Sequence, residues 1–245
     1  MQEAEPSRVA ALEAELAALR AEMQDFSYTV SHDLRASLRH ILSYAQLVQE
    51  DAAPLLPAET LGFLNTITDS ARHMALLMDG LMELSRLGTV ALQITAVPLQ
   101  PLLRELLTEF QPNDGAAIDW QVASDLPVVR GDAALLRAAL HALLDNAVKF
   151  TARRELRRIE LSVLPSDAQG AMVTLQLRDN GAGFNPSLQA KLFHPFARLH
   201  TTKQFAGIGM GLALTRKMLQ RMDAQVHAEG LVDGGCTLSL HLPRA

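Results

Sequence analysis

The stretch SHDLRASLRHI, Ser31–Ile41, places a histidine beside an acid within a segment that is predicted to be continuous helix. His32 falls off the apolar stripe of this helix, on a face shared with Arg35, Ala36 and Arg39. The neighbouring carboxylate of Asp33 can fix the imidazole tautomer and leave the other ring nitrogen as a nucleophile. The alternative is an ordinary solvated histidine. Helical spacing assigns the apolar stripe to Val30, Leu34, Leu38, Ile41, Ala45 and Val48.

Towards the N-terminus, apolar residues recur at alternating spacings of three and four, which is typical of a coiled coil. A lone helix cannot bury such a stripe, so we expect a parallel homodimer; the alternative is a helix that packs on its own domain. The next apolar residue after Val30 is Leu34, so the heptad slips beside His32, where a change of register could move the histidine. The stripe consists of Val9, Leu12, Leu16, Leu19, Met23, Phe26 and Val30.

Beyond the histidine, the helix is predicted to end near Asp51, because Pro54 and Pro57 indicate a loop. A second helix, about Ala58 to Leu87, has a broad apolar face, and Gly88 ends it. Two antiparallel helices doubled by dimerisation would form a four-helix bundle. The apolar face that we predict as core comprises Leu61, Leu64, Ala71, Met74, Met78 and Leu81.

From Val90 onward the pattern changes to alternating strands and helices, which indicates an α/β layer. A helix capped by Asp132 is predicted to run to Phe150, and another to begin at the glycines of GIGMGL. The further helix is predicted at Pro98–Phe110. Extended segments are predicted at Val90–Thr95, Ile118–Val122, Leu126–Val129, Ile159–Leu164, Met172–Leu177, Gln225–Ala228 and Thr237–Leu242, with a hairpin turn at Ser166–Gly170. We expect a coiled-coil linker at 1–26, a helical domain at 27–90 and an α/β domain at 91–245.

Three motifs in the second half carry polar groups suited to a phosphate-bearing ligand. LLDNAVKFT places Asn146 and Lys149 on one helix face, where an amide and an ammonium suit a metal and a phosphate. DNGAGF follows a predicted strand and supplies a carboxylate, Asp179, with small residues that let backbone approach a flat ligand. GIGMGL opens a helix whose free amides favour an anion. Each motif alone is weak.

Composition and spacing exclude several classes. The chain has 245 residues and a net charge of -5, which argues against a general nucleic-acid binder. Basic residues do cluster at Arg153, Arg154, Arg157 and Arg158, which we interpret as a solvated patch. The single cysteine, Cys236, excludes an internal disulfide, and no apolar run reaches transmembrane length. The glycine spacing GxGxG after a loop fits neither the dinucleotide fingerprint nor a P-loop.

Taken together, the motifs resemble those of sensor histidine kinases of two-component systems, over about Phe26 to Pro243. SHDLRASLRHI resembles the phosphoacceptor box and LLDNAVKFT the N box. DNGAGF, LFHPFAR and GIGMGL resemble the first glycine box, the F box and the second glycine box, and FSYTVSHDLR resembles bacterial phytochrome kinase modules. The resemblance implies a dimeric phosphotransfer bundle, an ATP-binding α/β sandwich of the gyrase type, a cytoplasmic location and ATP with Mg²⁺ as cofactors. It also implies a response-regulator receiver domain as partner and an N-terminal sensor outside this chain.

The resemblance assigns roles to individual residues. His32 would accept the γ-phosphoryl group with Asp33 as orienting base, and Arg198 would offset charge on that group. Asn146 would hold Mg²⁺, Lys149 would meet phosphate and Asp179 would bond the adenine amino group. Gly181 and Gly183 would allow the ring to approach. The remaining nucleotide-site residues implied are Phe150, Gly207, Gly209, Gly211 and Leu212.

Three positions depart from the family pattern. Ala36 stands where relatives often carry a water-positioning Thr or Asn, so we expect weak phosphatase activity. Ser37 replaces a usual proline, so we expect a straighter helix past His32. Ala142 replaces an additional Asn, so Asn146 would carry more of the metal binding. Two other functions remain open: a non-phosphorylating dimeric signalling scaffold, and a gyrase-type ATPase.

Overall fold

The computed structural model describes residues 4–110, 117–164, 170–201 and 204–245. In the first helix, the side chains of residues 4–7, 9–10, 13, 16–17, 20–21, 24–28 and 32 lie outside this description, as does most of the turn predicted at Ser166–Gly170. The chain divides into two compact units, Met1–Thr89 and Val90–Ala245. Within the described residues, no helix has both the length and the apolarity needed to cross a membrane.

The first unit is a helical hairpin. Helix α1, Ala4–Ala52, runs for 49 residues without interruption. At Ser37, the position of the missing proline, the hydroxyl donates to the Asp33 carbonyl at 3.3 Å. A 3₁₀ turn, Ala53–Leu55, leads into α2, Ala58–Arg86. The two helices pack against each other, and Gln49 Nε2 donates across to Asn65 Oδ1 at 2.7 Å.

The apolar stripes of both helices divide into a buried row and an exposed row. Leu38, Ala71 and Met78 form the buried cluster, with Leu42 and Ala75 packed against it. Met74 and Leu81, which we predict as core of a four-helix bundle, are 49% and 41% exposed in the single hairpin, so their burial in a dimer stays a prediction. On each helix, one set of three exposed apolar residues recurs every seven positions. We call them the open face: Leu34, Ile41 and Val48 on α1, and Ile67, Met74 and Leu81 on α2.

The N-terminal stripe of α1 is exposed as well. Leu12, Leu19 and Met23 are 57%, 57% and 66% exposed, respectively. The side chains of Val9, Leu16 and Phe26, which belong to the same predicted stripe, lie outside the described residues. Val30, the last residue of the stripe, is 38% exposed, so the seam is not covered by its own unit at any of its four described positions.

The second unit is an α/β layer. It contains β1 (Ile94–Pro98), α3 (Leu99–Glu109), β2 (Ile118–Val122), β3 (Val128–Asp132), α4 (Ala133–Thr151), β4 (Arg157–Leu164) and β5 (Met172–Asp179). A 3₁₀ helix at Pro186–Lys191, α5 (Gly211–Arg221), β6 (Gln225–Leu231) and β7 (Gly235–Pro243) follow. The main sheet has the order β2-β4-β5-β7-β6, and β1 pairs with β3 in a separate two-stranded sheet. Only β2 with β4 is parallel among these strand pairs.

Helices cover one face of the main sheet. Alternate residues of the central strands, such as Leu175 and Leu240, are fully buried against leucines of the helices, such as Leu143. Helix α4 contacts β4 and β5, and α5 contacts β6. Burying each such leucine contributes about 1.5–3 kcal/mol, so this single layer carries the unit's stability. It also fixes α4 directly beside the end of β5, where the candidate site lies.

Strand boundaries differ from prediction by one to four residues, and two of these differences matter for the site. The first strand begins at Ile94 rather than Val90, because its partner β3 ends at Asp132 and the register pairs Ile94 with Asp132. The predicted extended stretch Leu126–Val129 overlaps β3 only at Val128 and Val129, and β3 runs on to Asp132, the cap of α4. The Asp132 carboxylate accepts from the backbone N–H groups of Ala134 and Leu135, as predicted, and also from that of Gln93. Burial acts to raise its pKa, but the three donors outweigh burial and the net pKa is lowered.

Candidate functional site

A cavity of about 310 Å³ opens in the second unit, between α4, the loop after β5, and the chain from Leu192 to the start of α5. Most of the residues proposed from the motifs lie on its wall. These are Asn146, Lys149, Phe150, Asp179, Gly183, Arg198, Gly207, Gly209, Gly211 and Leu212. Ala142, at the position of the missing asparagine, also lines it. Four motifs that are far apart in sequence, LLDNAVKFT, DNGAGF, LFHPFAR and GIGMGL, therefore meet at one cavity.

Three proposed residues do not line this cavity. Gly181 packs behind the wall, between the Phe150 carbonyl and the Asp179 carboxylate. His32 and Asp33 belong to α1 of the other unit. The side chain of His32 lies outside the described residues, so its predicted display to solvent stays a prediction.

Asp179 is the buried acid of the site. Its side chain is 6% exposed, and burial raises its pKa to about 6. Hydrogen bonds from the backbone N–H groups of Gly181 and Cys236, and the charge of Arg154, act in the opposite direction. The Gly181 N–H donates at 2.8 Å to Oδ1. A buried carboxylate whose remaining lone pairs face a cavity can accept from an N–H donor of a ligand.

The glycines after Asp179 are required by the protein's own backbone. Gly183 has φ of +59°, and a Cβ there would lie 1.9 Å from the Leu231 carbonyl oxygen. A Cβ on Gly181 would lie 2.7 Å from the Phe150 carbonyl oxygen. Both glycines thus let the loop pass close to its neighbours, which is a different reason from the ring approach that the resemblance implies.

Asn146 and Lys149 form a polar pair on α4. The Lys149 ammonium donates to Asn146 Oδ1 at 2.8 Å and lies 4.8 Å from the centroid of the Phe150 ring. Burial lowers the pKa of Lys149; neighbouring Asp145 raises it and Arg198 lowers it further. Asp145, which the sequence analysis did not single out, also lines the cavity. This end of the cavity combines an ammonium, an amide and a carboxylate.

The segment before α5 closes another side of the cavity. The Arg198 guanidinium donates to the backbone carbonyls of Gly207 and Phe205, the latter at 2.8 Å. Gly209 has φ of +77°, and a Cβ there would lie 2.5 Å from the Ala197 carbonyl oxygen. Helix α5 then starts at Gly211, and its first N–H groups and dipole favour an anion.

An aromatic group that the sequence analysis missed holds this segment on α4. The rings of Phe150, His200 and Phe205 lie with centroids 4.9–5.4 Å apart. His200 Nε2 lies 2.9 Å from the Gly183 carbonyl and, since a carbonyl only accepts, carries the proton. His200 and Phe205 fall after the motif LFHPFAR, so only the fold brings them to Phe150.

The interpretation of the arginine cluster as a solvated patch is wrong for two members. Arg157 is buried at 6% exposure. Arg154 donates from Nε to the Asn180 carbonyl at 2.8 Å, and from Nη2 to the carbonyls of Gly181 at 2.8 Å and Asp233 at 2.7 Å. Solvation was the expected state of a charged run, because the loops that receive these hydrogen bonds are distant in sequence.

Two family models match the chain. The His Kinase A (phospho-acceptor) domain matches residues 22–89. The histidine kinase-, DNA gyrase B- and HSP90-like ATPase matches residues 131–245. The two models cover the helical hairpin from residue 22 onward and most of the α/β unit, including every residue on the cavity wall.

Curated relatives are similar over nearly all of this chain. The circadian input-output histidine kinase CikA of Synechococcus elongatus is 30% identical over 235 residues, which are 92% of this chain and 30% of CikA. The phytochrome-like protein Cph1 of Synechocystis is 26% identical over 226 residues, covering 91% of this chain and 29% of Cph1. The chain therefore spans about 30% of the length of these relatives.

Solved structures have the same architecture. Full-length ShkA in complex with AMPPNP matches 90% of this chain and 46% of ShkA, with a TM-score of 0.62 and 28% identity. The histidine kinase AdeS of Acinetobacter baumannii matches 86% of this chain and 97% of AdeS, with a TM-score of 0.59. At 17% identity, AdeS supports the fold alone.

Proposed function

Since the chain belongs to the sensor histidine kinases, with a phosphoacceptor hairpin followed by an ATPase domain, we propose that it phosphorylates its own His32 from ATP. The phosphoryl group then passes to an aspartate on the receiver domain of a response regulator. We assign residues 1–26 to a coiled-coil linker, 27–90 to dimerisation and phosphotransfer, and 91–245 to ATP binding. The observation that carries the proposal is the convergence of the separated motifs on one cavity beside a buried acid.

The residues along the cavity suit both the base and the phosphates of ATP. The Asp179 carboxylate accepts from the adenine amino group, and the Phe150 ring packs against the base. Lys149 and the N-terminus of α5 meet the phosphates, where positive charge and free N–H groups stabilise an anion. The glycines at 207, 209 and 211 bring backbone close to the phosphates.

Mg²⁺ fits this donor set as a weakly protein-bound ion. Asn146 offers one amide oxygen, Asp145 lines the same end, and Ala142 contributes no ligand. Among the described residues no cluster of three His, Cys, Asp or Glu side chains suits a metal. Mg²⁺ commonly binds through few protein oxygens together with substrate phosphates and waters, which is what these residues allow. The ion would neutralise phosphate charge when bound.

The transfer step needs one nucleophile and one leaving group. An imidazole nitrogen of His32 bonds to the γ-phosphorus while the bond to the β–γ bridging oxygen breaks, and ADP leaves. The Asp33 carboxylate holds the ring tautomer by accepting a hydrogen bond from the other ring N–H, and its negative charge stabilises the positive charge that develops on the ring as the N–P bond forms. Arg198 offsets charge on the transferring group. Catalysis of this kind rests on positioning and electrostatics.

The open face supports dimerisation through the hairpin. Its six residues are apolar, about half exposed in one chain, and spaced by seven on each helix. The cross-helix hydrogen bond between Gln49 and Asn65 places Ile41 at a similar height to Met74, so the rows form layers. A second copy would bury these layers in a four-helix bundle. The exposed residues Leu12, Leu19 and Met23 extend the same interface into a coiled coil.

Partners and location follow from the reaction. A receiver-domain aspartate takes the phosphoryl group, and a sensor domain beyond Met1 would supply the signal through α1. We place the reaction in the cytoplasm, where ATP is available. The net charge of -5 argues against general binding to nucleic acid.

Labelling with γ-³²P-ATP tests the proposal. The wild-type chain is expected to acquire label that is labile to acid and stable to base, and His32→Ala is expected to acquire none. His40→Ala is a matched control on the same helix and should label normally. Label absent from the wild type, or retained in His32→Ala, contradicts the proposal.

The two other functions give different outcomes in the same experiment. A signalling scaffold would bind ATP without transferring label. A gyrase-type ATPase would release phosphate steadily, with no effect of the His32 substitution. Stoichiometric label on His32 with little free phosphate excludes both.

A further inference from the structure

Arg154 lies outside the cavity and is assigned no role by any motif, yet it makes the most extensive side-chain contacts near Asp179. We propose that Arg154 is a positioning residue for nucleotide binding, which holds the loop after Asp179 and so keeps that carboxylate in place for the base. The proposal rests on the proposed function, in that it takes Asp179 as the acceptor for the adenine amino group.

The geometry joins three segments through one guanidinium. Arg154 follows the end of α4, where its N–H donates to the Thr151 carbonyl at 2.8 Å. Its side chain binds the carbonyls of Asn180 and Gly181, the two residues directly after Asp179, and that of Asp233 in the turn between β6 and β7. A planar guanidinium offers several N–H donors in a fixed arrangement, which no other side chain supplies.

Backbone hydrogen bonds complete the same arrangement. The Ala182 N–H donates to the Phe150 carbonyl at 3.1 Å, and the Asp233 N–H donates to the Ala182 carbonyl at 2.8 Å. The loop at 180–183 thus lies between the end of α4 and the β6–β7 turn, with Arg154 bonded to both the loop and the turn. Since Gly183 lines the cavity and Gly181 bonds the Asp179 carboxylate, movement of this loop would displace the acceptor.

Charge adds a second effect. Arg154 acts to lower the pKa of Asp179, against burial, which raises it to about 6. The Cys236 thiol on β7, whose own pKa is raised to about 12 by burial and by Asp179, faces the same carboxylate as a neutral group. The other charged or titratable groups on the neighbouring cavity wall are Lys149 and Asp145 of α4, and Arg198 and His200. Among the charged groups around Asp179, it is the charge of Arg154 that lowers the pKa of this carboxyl.

Calorimetric titration of the full chain with ADP and Mg²⁺, from pH 5 to pH 8.5, tests the proposal. Wild type should bind ADP at pH 8 and lose affinity as Asp179 is protonated. Arg154→Ala should bind about tenfold more weakly at pH 8, and the midpoint of the acid loss should move upward by about half a pH unit. Arg154→Lys should restore the midpoint, because it restores the charge, with affinity between the two.

Controls separate this effect from a general loss of structure. Arg158→Ala removes a nearby charge that bonds the exposed Asp119, and it should change neither affinity nor midpoint. Inosine diphosphate lacks the amino group and should bind weakly. The pH midpoint of its binding should be the same for wild type and Arg154→Ala. If Arg154→Ala does not fold, by circular dichroism, Arg154→Gln replaces it and should show the same upward shift.

The outcomes are distinct. Failure of wild type to bind ADP contradicts the proposed function. If wild type binds but Arg154→Ala keeps the wild-type midpoint, or loses affinity equally at every pH, Arg154 has no positioning role of this kind. An equal shift in Arg158→Ala also overturns the inference.

Discussion

At the scale of single residues, burial of the Asp179 carboxylate lowers the stability of the folded protein but provides a hydrogen-bond acceptor for a ligand. Its carboxylate is 6% exposed, and its pKa is raised from 3.8 to about 6. The folded state therefore binds a proton more readily than the unfolded chain does between these two pH values. The free energy of unfolding falls as pH rises through this window, and the cost is fully present above it. A bound adenine amino group would offset that cost by donating to the carboxylate.

Asp179→Asn should therefore stabilise the ligand-free protein while it weakens nucleotide binding. A tenfold change in ionisation is worth about 1.4 kcal/mol, so the gain at pH 8 is on the order of 2–3 kcal/mol, and it should vanish near pH 3.5. Thermal unfolding at both pH values, with and without ADP, measures this. Asp125→Asn, at an exposed position, is the control and should change neither property. A destabilised Asp179→Asn at pH 8 contradicts this account of the burial cost.

At the scale of secondary-structure elements, the glycines before α5 have different roles. Gly209 has a positive φ and no room for a Cβ beside the Ala197 carbonyl. Gly211 lies within α5, and a Cβ there would make an ordinary contact of 3.9 Å with Asn146 Nδ2. The repeated spacing of the glycines suggested that they share one role, but the backbone geometry shows that Gly209 and Gly211 have different roles.

Substituting each glycine by alanine distinguishes these roles. Gly209→Ala should lower stability by about 1–3 kcal/mol through backbone strain, and it should weaken ATP binding because the connecting segment must shift. Gly211→Ala should leave stability unchanged or raise it by up to about 1 kcal/mol, as alanine favours helix. Thermal unfolding and ATP titration of the two variants provide the comparison. Equal destabilisation in both would contradict the distinction.

Elements were predictable from sequence where local signals agreed. The cap at Asp132, the proline loop before α2 and the alternation in β4 and β5 gave these elements to within a few residues. That the motifs lie around one cavity was predictable only through the family resemblance, because the cavity forms by contacts between segments that are distant in sequence. Arg154 and His200 could not be assigned, since their partners are backbone carbonyls and rings whose positions no local pattern encodes.

At the scale of the whole molecule, the open face is an apolar surface that the single hairpin leaves exposed. Its residues are no more hydrophobic than those of the buried row, so the periodicity alone did not separate the two. Which row is buried within one chain depends on how α1 and α2 pack. The exposed row is then available to a second copy, and a two-fold axis would bring each residue near its own counterpart.

Ile41→Asp should convert the dimer to monomer. Two carboxylates would face each other across the two-fold interface, and like charges in such contacts cost several kcal/mol, so the dissociation constant should rise about a hundredfold or more. Sedimentation equilibrium measures the change. Leu47→Asp is the matched control, since Leu47 is 49% exposed, as Ile41 is at 45%, but lies outside the seven-residue rows. Dimer retained in Ile41→Asp, or lost equally in both, would contradict the assignment.

Because α1 is one continuous helix, the direction in which position 32 faces around the helix axis is fixed relative to the seam residues upstream. Each residue turns an α-helix by about 100°, so one residue inserted after Met23 would swing the histidine through roughly that angle. Four inserted residues would leave a net phase error of about 40°, and seven would reduce it to about 20°. Activity plotted against insertion length should therefore oscillate with the helical repeat rather than decline with added distance. A domain fused upstream of this helix must therefore match its rotation about the helix axis more closely than its distance along that axis.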